Sequence, residues 1–497
     1  MSSRKKTTPI AAEVSAGECP PELYRGLIAA LGPEVVSIDP HYRTEVAADA
    51  TRFWGARRDG RGQAVTPWAV IRPQNTEQVA DAVKIAAKFK VSLVAYGGGS
   101  GLMGGAVSIR HGLVIDLRGL DRLLRLNPQE QSAHVQAGMV LKDLDHALES
   151  QGFILGHDPW SLPVATVGGA ISTNGLGYLA GRYGSMGDHV LGLTVVLPDG
   201  NILRTNGLET KSVGIDLKHL FIGAEGTMGI ITEAVLKIFP RPERRALVAV
   251  AFPDFEAGVR AVQQMLATGM RPSIADYGDY FAPPEPLELG GRLRPVDEPP
   301  TLHMVFDGLR EETEALERRA LSIAESHGGR RLEQQKAEHF WKHRHDSGES
   351  FLKRRLSGTP SQAPPANLRY EYINVVVPSS RVLEYRQRCL EIIAENGIHL
   401  LESGFWGRPD LFAVFMVKIG KDAEEANKVM DRVADAVLKL AQDMGGVMEQ
   451  CHGVGLRRAY LMERQHGYGL ELMRKLKQAL DPDGILNPGK LGLSEEG

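Results

Sequence analysis

The spacing of apolar residues changes character along the chain, and each change predicts a different kind of element. Up to about residue 62, "PPELYRGLIAALG" (Pro20–Gly32) has helical periodicity among polar connections. "WAVIRPQNTEQVADAVKIAAKFKVSLVAYGGG" (Trp68–Gly99) then predicts strand, helix, strand. Thr76 followed by Gln78 opens that helix, and Val79, Val83 and Ala86 fall on one face of it. Short apolar and β-branched runs dominate from there to Pro240: "GLVIDL", "SAHVQAG", "LGLTVVLPDGNILRT" and "MGIITEAVLKIFP". "PDG" at Pro198–Gly200 separates two of these runs and predicts a hairpin turn, because Gly200 tolerates positive φ.

The pattern shifts after "PRPERR" (Pro240–Arg245). Strand candidates "ALVAVAFP", "PTLHMVFDG", "YEYINVVVP" and "DLFAVFMVKIG" alternate with amphipathic stretches such as "FEAGVRAVQQMLATG" and "EEANKVMDRVADAVLKLAQDMGG". Such alternation predicts one antiparallel sheet covered by helices, so the fold class is α+β. "KRRLSGTPSQAPPANLR" (Lys353–Arg369) is Pro- and Ser-rich and charged, and predicts an exposed loop. The segment from Cys451 pairs two helical stretches with a Gly-Pro-rich end. No internal repeat is visible. Four segments result: a helical segment 1–62, a mixed-sheet domain 63–242, an antiparallel-sheet cap 243–445, and a closing segment 446–497.

Composition narrows the partners. With 497 residues, 43% hydrophobic, 24% charged and a net charge of −3, the chain can bury full cores and does not attract polyanions through its overall field. Cys19, Cys389 and Cys451 are too scattered for a disulfide framework or a zinc site, which suits a reducing, cytoplasmic compartment. "MSSRKKTTPIAAEV" lacks the apolar core of a secretory signal, and no stretch approaches the ~18 apolar residues of a membrane span. Peripheral membrane contact and a homodimer are left open. Arg57–Gly62 and Lys353–Arg355 read as solvated loops without the aromatic platforms that bind nucleic acid.

Glycine, 55 residues in all, is clustered. "YGGGSGLMGGA" places Gly99, Gly101 and Gly104 at the G-x-G-x-x-G spacing of a dinucleotide loop. That motif works by opening a helix, whereas this loop runs into the strand-like "VSIRHGLVIDL". Its amides, freed of Cβ obstruction, instead form a nest fit for a diphosphate. A second stretch, Thr166–Gly169 with Ser172–Gly175, offers further amides and hydroxyls.

Together with "DPWSLPVATVGGAISTNGLGYLAGRYGSMGDHVLGLTVVLPDG", "LFIGAEGTMGIITEAVLKIFP" and "LDPDGILNPGKL", this loop resembles the FAD-linked oxidases of the vanillyl-alcohol oxidase / p-cresol methylhydroxylase superfamily. The similarity is to the glycolate-oxidase, D-lactate-dehydrogenase and alkyldihydroxyacetonephosphate-synthase branches. It implies a two-subdomain FAD-binding domain over 63–242, completed by 446–497, and a substrate cap over 243–445. It further implies noncovalent FAD held by Gly97, Gly98, Gly99, Ser100, Gly101, Leu102, Pro159, Thr166, Val167, Gly168, Gly169, Ser172, Thr173, Asn174, Glu225, Gly226, Gly229, Ile230, Ile231 and Asn487. A covalent flavin link through His157 or a cap histidine is left open.

Metal-dependent hydroxy-acid members carry a Gly-His-x-Gly-Asp-Gly-Asn-x-His pattern and a Glu-His pair before Gly-Val-Gly. Here Phe405 and Phe412 stand for the two histidines and Cys451 for the glutamate, so no metal is expected. His452 remains as the candidate base or hydrogen-bond donor. Arg344 matches an arginine that binds the substrate carboxylate, and Arg408, beside Trp406, is a second candidate. Tyr372, Phe405, Trp406 and Phe412 could line an apolar cavity or simply pack. The resemblance implies FAD-dependent oxidation of a hydroxy acid or alcohol, with the electron acceptor unknown; the missing metal ligands widen the class to larger or aromatic alcohols. Two alternatives stand beside it: a synthase-like exchange without net redox, and a flavin-binding subunit of a larger complex. Ala275, where the synthases have arginine, and the single His452 in place of three histidines weigh against the synthase.

Overall fold

The computed structural model describes residues 18–53, 64–209, 212–281, 299–356 and 367–493. Arg57–Gly62 and most of the Pro- and Ser-rich stretch at 357–366 lie outside them.

Sequence periodicity becomes three main sheets. In the first, strands Val36–Ser37, Ala69–Ile71, Gly112–Asp116 and Ser92–Tyr96 lie side by side in that order, the last three parallel. Helix Thr76–Phe89 links the second of these to the fourth. Its cap is Asn75, whose side chain accepts the Gln78 amide, one residue before the expected Thr76. Thr76 turns inward to bond Thr232 at 2.9 Å. A capping amide of this kind is worth about 1 kcal/mol. The glycine-rich loop leaves Ser92–Tyr96 and enters Gly112–Asp116 without opening a helix, as its sequence predicts.

The second sheet is antiparallel and runs Leu123–Asn127, Ser132–Gln136, Ile230–Lys237, Val190–Val196, Ile202–Arg204. The Pro198–Gly200 turn joins its last two strands, with Gly200 at φ 79°.

A seven-stranded antiparallel sheet forms the cap: Arg330–Arg331, Arg244–Ala251, Thr301–Gly308, Ile274–Tyr280, His399–Phe405, Leu411–Ile419, Leu368–Val376. Side chains alternate between its faces. Leu302, Met304 and Phe306 join helices Phe255–Ala267, Val382–Glu395 and Ala423–Asp443 in one core. Val305, Leu411 and Ala413 pack on the opposite side with Tyr178 and Leu179 of the preceding domain. Phe405 and Phe412, weighed as cavity residues, belong to the helix-side core. Lys353–Arg355 form the last turn of helix Asp346–Leu356 rather than a solvated loop.

The closing segment is fastened to the cap by charge. Glu371 on Leu368–Val376 is buried and accepts Arg457 at 2.5 Å and Arg458 at 2.6 Å. Burial alone would raise its carboxyl, but Arg457, Arg458 and Arg369 hold it at about 2, below the usual 4.5. A group depressed in the folded state stabilises above its unfolded value and loses that contribution as pH falls towards the folded one. Glu371→Gln is therefore expected to cost about 3 kcal/mol at neutral pH, because it strands buried guanidinium groups. The gap from wild type, read from urea midpoints, should narrow as pH falls from about 4.5 towards 2. A gap independent of pH would contradict this.

Candidate active site

Peptide segments far apart in sequence converge on one cavity. Gly97, Gly98, Gly99, Ser100, Gly101 and Leu102 form one wall. Pro159, Thr166, Gly168, Gly169, Ser172 and Thr173 form the second, and Glu225, Gly226, Gly229, Ile230 and Ile231 the third. His452 and Cys451 close the end next to the cap. At Gly98 the requirement for glycine is steric, since a Cβ would collide with the backbone carbonyl of Val164. The first two walls are thus pressed together, backbone on backbone.

Three expected cofactor residues stand behind the lining. Val167 is buried in the core of the second sheet. Asn174 ends helix Val167–Thr173 in the left-handed conformation and accepts the Gly187 amide. Asn487 donates to the carbonyls of Gly105 at 2.8 Å and Glu225 at 2.6 Å, tying the first and third walls together.

Glu225 lines the cavity, yet its carboxylate serves the protein first. It accepts the amides of Val454 at 2.6 Å and Gly455 at 2.9 Å, anchoring the loop that carries His452. Burial pushes this carboxyl up to about 7, against the pull of those amides. Lys490, fully buried, donates to the carbonyls of Val107 and Pro488. Burial brings its amine down to about 7, opposed by the charges of Asp49 and Glu225. Asp49, another lining residue, holds the Ala106 amide at 3.2 Å.

Further groups gather at these walls. His157 faces the cavity with its ring edge-on to His189, and burial lowers it to about 3, so the imidazole is neutral at physiological pH. Its Nδ1 has no hydrogen-bond partner among the described residues. Trp160 lines the same wall. Arg355 reaches from the cap helix to the Gly98 carbonyl and pairs with Glu45 at 3.0 Å, so the cap touches the glycine loop directly. In the sequence His157 is only an open candidate for a covalent flavin link; Lys490, Asp49 and Arg355 have no local signal that sets them apart.

The two candidate arginines are not brought to the lining. Arg344 binds Asp158 at 2.9 Å and stacks over Trp341. Asp158 sits at about 2 despite burial, held down by His345 and Arg344. Arg408 is paired with Asp410 at 2.7 Å in the turn after His399–Phe405. His452 is placed where the cap meets the cavity. Tyr372 lies edge-on to its ring with centroids 6.1 Å apart, and Trp406 packs on Tyr178 nearby. No group of three or more His, Cys, Asp or Glu that could hold a metal occurs among the described residues.

Comparison with known proteins matches this architecture. Residues 67–206 match the FAD binding domain family, and residues 241–491 match the FAD linked oxidases, C-terminal domain. The chain is 29% identical to the glycolate oxidase subunit GlcD of Bacillus subtilis (strain 168), covering 94% of this chain and 95% of that protein. It is 31% identical to a D-lactate dehydrogenase of Archaeoglobus fulgidus, covering 89% and 96%. Among solved structures, p-cresol methylhydroxylase with substrate bound superposes with a TM-score of 0.75 at 17% identity, covering 96% and 97%. An alkyldihydroxyacetonephosphate synthase superposes at 0.72 with 22% identity, covering 97% and 87%. These two establish the fold.

Gly98→Ala tests the cavity as the cofactor site. The variant is expected to keep its circular dichroism while FAD affinity drops at least ~10-fold, about 1.4 kcal/mol. Flavin absorbance per protein after gel filtration reads the outcome, and an unchanged flavin content would contradict it.

Proposed function

We propose that this chain, which belongs to the FAD-linked oxidases, oxidises the CH–OH carbon of a small hydroxy acid or alcohol, without a metal, and that His452 receives the hydroxyl proton. The observation that supports this most is the placement of the His452 imidazole, next to the cap, on the wall of the same cavity that the glycine-rich amides build. FAD, when bound, supplies a two-electron acceptor for the hydride that leaves the carbinol carbon.

The chain's own residues have three tasks. His452 takes the hydroxyl proton as the C–H bond breaks, so that C–H and O–H are lost and C=O forms. Trp160, Leu176 and Cys451 give the cavity apolar surface that limits water. Burial pushes the Cys451 thiol up, so it stays protonated and serves as packing rather than as a nucleophile. Neutral His157 is available as a hydrogen-bonding partner for bound cofactor or substrate.

Arg344 and Arg408 are paired with Asp158 and Asp410, and neither lines the cavity. The substrate class therefore extends from hydroxy acids to uncharged alcohols. The glycolate oxidase and D-lactate dehydrogenase relatives favour the hydroxy acids.

Anaerobic mixing with a panel of hydroxy acids and alcohols is expected to bleach the flavin, equally with and without chelator. His452→Ala should retain FAD and slow bleaching by about 10²-fold or more. Unchanged bleaching in that variant would remove His452 from the reaction, and a strong chelator effect would overturn the metal-free chemistry.

A further inference from the structure

Cys451 occupies the position where glutamate precedes histidine in metal-dependent relatives, yet the chain supplies a carboxylate from another place. Glu449, three residues before His452, is buried, and its side chain folds back under the loop. One oxygen, Oε1, accepts the amides of Gln450 at 3.1 Å, Cys451 at 2.9 Å and His452 at 3.0 Å. That same oxygen lies 3.5 Å from Nδ1 of His452. Oε2 has no partner among the described residues. Burial would raise this carboxyl, but His452 and the amides hold it below its ordinary value, so it is charged at neutral pH.

The cap touches the imidazole as well. Asn374, on strand Leu368–Val376, places Nδ2 3.3 Å from Nδ1 and 3.4 Å from Nε2, so this contact favours neither tautomer. A neutral imidazole carries its proton on one nitrogen and a lone pair on the other, and a neighbouring acceptor decides which. A carboxylate on the Nδ1 side favours the proton there, leaving Nε2 as the nitrogen able to accept.

We propose that Glu449 is a positioning residue: it fixes the His452 ring with its proton on Nδ1 and balances the imidazolium formed when Nε2 takes the substrate proton. This rests on His452 acting as the base. The other charged group near Glu449 is Arg458, itself bound to Glu371 at 2.6 Å, and the Cys451 thiol beside it is uncharged. The proton moves from substrate oxygen to Nε2, and Glu449 gains none. A carboxylate in this place combines orientation with charge, the two contributions of the buried aspartate in a Ser-His-Asp triad.

Glu449→Gln keeps an amide-accepting oxygen in place while removing the charge. In the holoenzyme, flavin content should be unchanged and the rate of anaerobic flavin reduction should fall at least ~10-fold. The acid limb of the pH–rate profile should move to lower pH, because the carboxylate facing the ring is gone. A second measurement needs no substrate: ¹⁵N-histidine spectra of wild-type protein, with the His452 signal assigned by its loss in His452→Gln. At alkaline pH these should show Nδ1 protonated and Nε2 bare. An Nε2–H tautomer in wild type, or a variant with an unmoved acid limb, would overturn the role of Glu449. A wild-type flavin that no hydroxy acid or alcohol reduces would overturn the functional proposal instead, and the spectra would still decide Glu449.

Discussion

The cavity wall is made of backbone, and everything else follows from holding that backbone still. Loops that expose amides to a ligand cannot spend them on one another, so they lack the ladders that fix strands and helices. Here buried side chains do the fastening. Glu225 takes the amides of Val454 and Gly455, Asn487 bridges the carbonyls of Gly105 and Glu225, and Lys490 holds those of Val107 and Pro488. Each polar group is costly to bury alone and stabilising once satisfied, so the loops are locked together rather than individually. Cap and cavity meet by the same device: Glu371 holds Arg457, which reaches the Leu102 carbonyl, and Arg355 reaches that of Gly98.

That fastening sets the chemistry. His452 rides on the loop that Glu225 anchors, and Glu449 organises the three residues leading into it. The alternation of side chains on strand Leu368–Val376 presents Tyr372 and Asn374 to this histidine while Ile373 and Val375 enter the cap core. One sheet therefore closes the cavity on one face and builds a domain core on the other. Burial around the site keeps His157 neutral and the Cys451 thiol protonated.

Much of this was legible in the sequence because glycine and apolar period are local signals. The loop at Gly97–Gly101, the helix after Asn75 and the hairpin at Pro198–Gly200 need only near neighbours to form. Strands Ile274–Tyr280 and His399–Phe405 escaped because Asp276 and Ser403 interrupt their apolar runs, although both are buried inside the fold. The sequence also put Arg344 forward as an anion ligand by resemblance, and Arg408 by its place beside Trp406. It could not show that Asp158 already holds Arg344, since pairing across 186 residues is a tertiary fact, whereas Asp410 holds Arg408 from two residues away within the same turn. Glu449 was hidden for a different reason: its carboxylate folds back from three residues before His452, while the neighbouring position holds Cys451.

The most direct measurement is an experimental density map of the protein with FAD bound. It should place the diphosphate against Gly97–Gly101 and Thr166–Gly169 and the flavin ring at the His452 end of the cavity. A flavin seated elsewhere, or one whose ring lies remote from His452, would contradict the account.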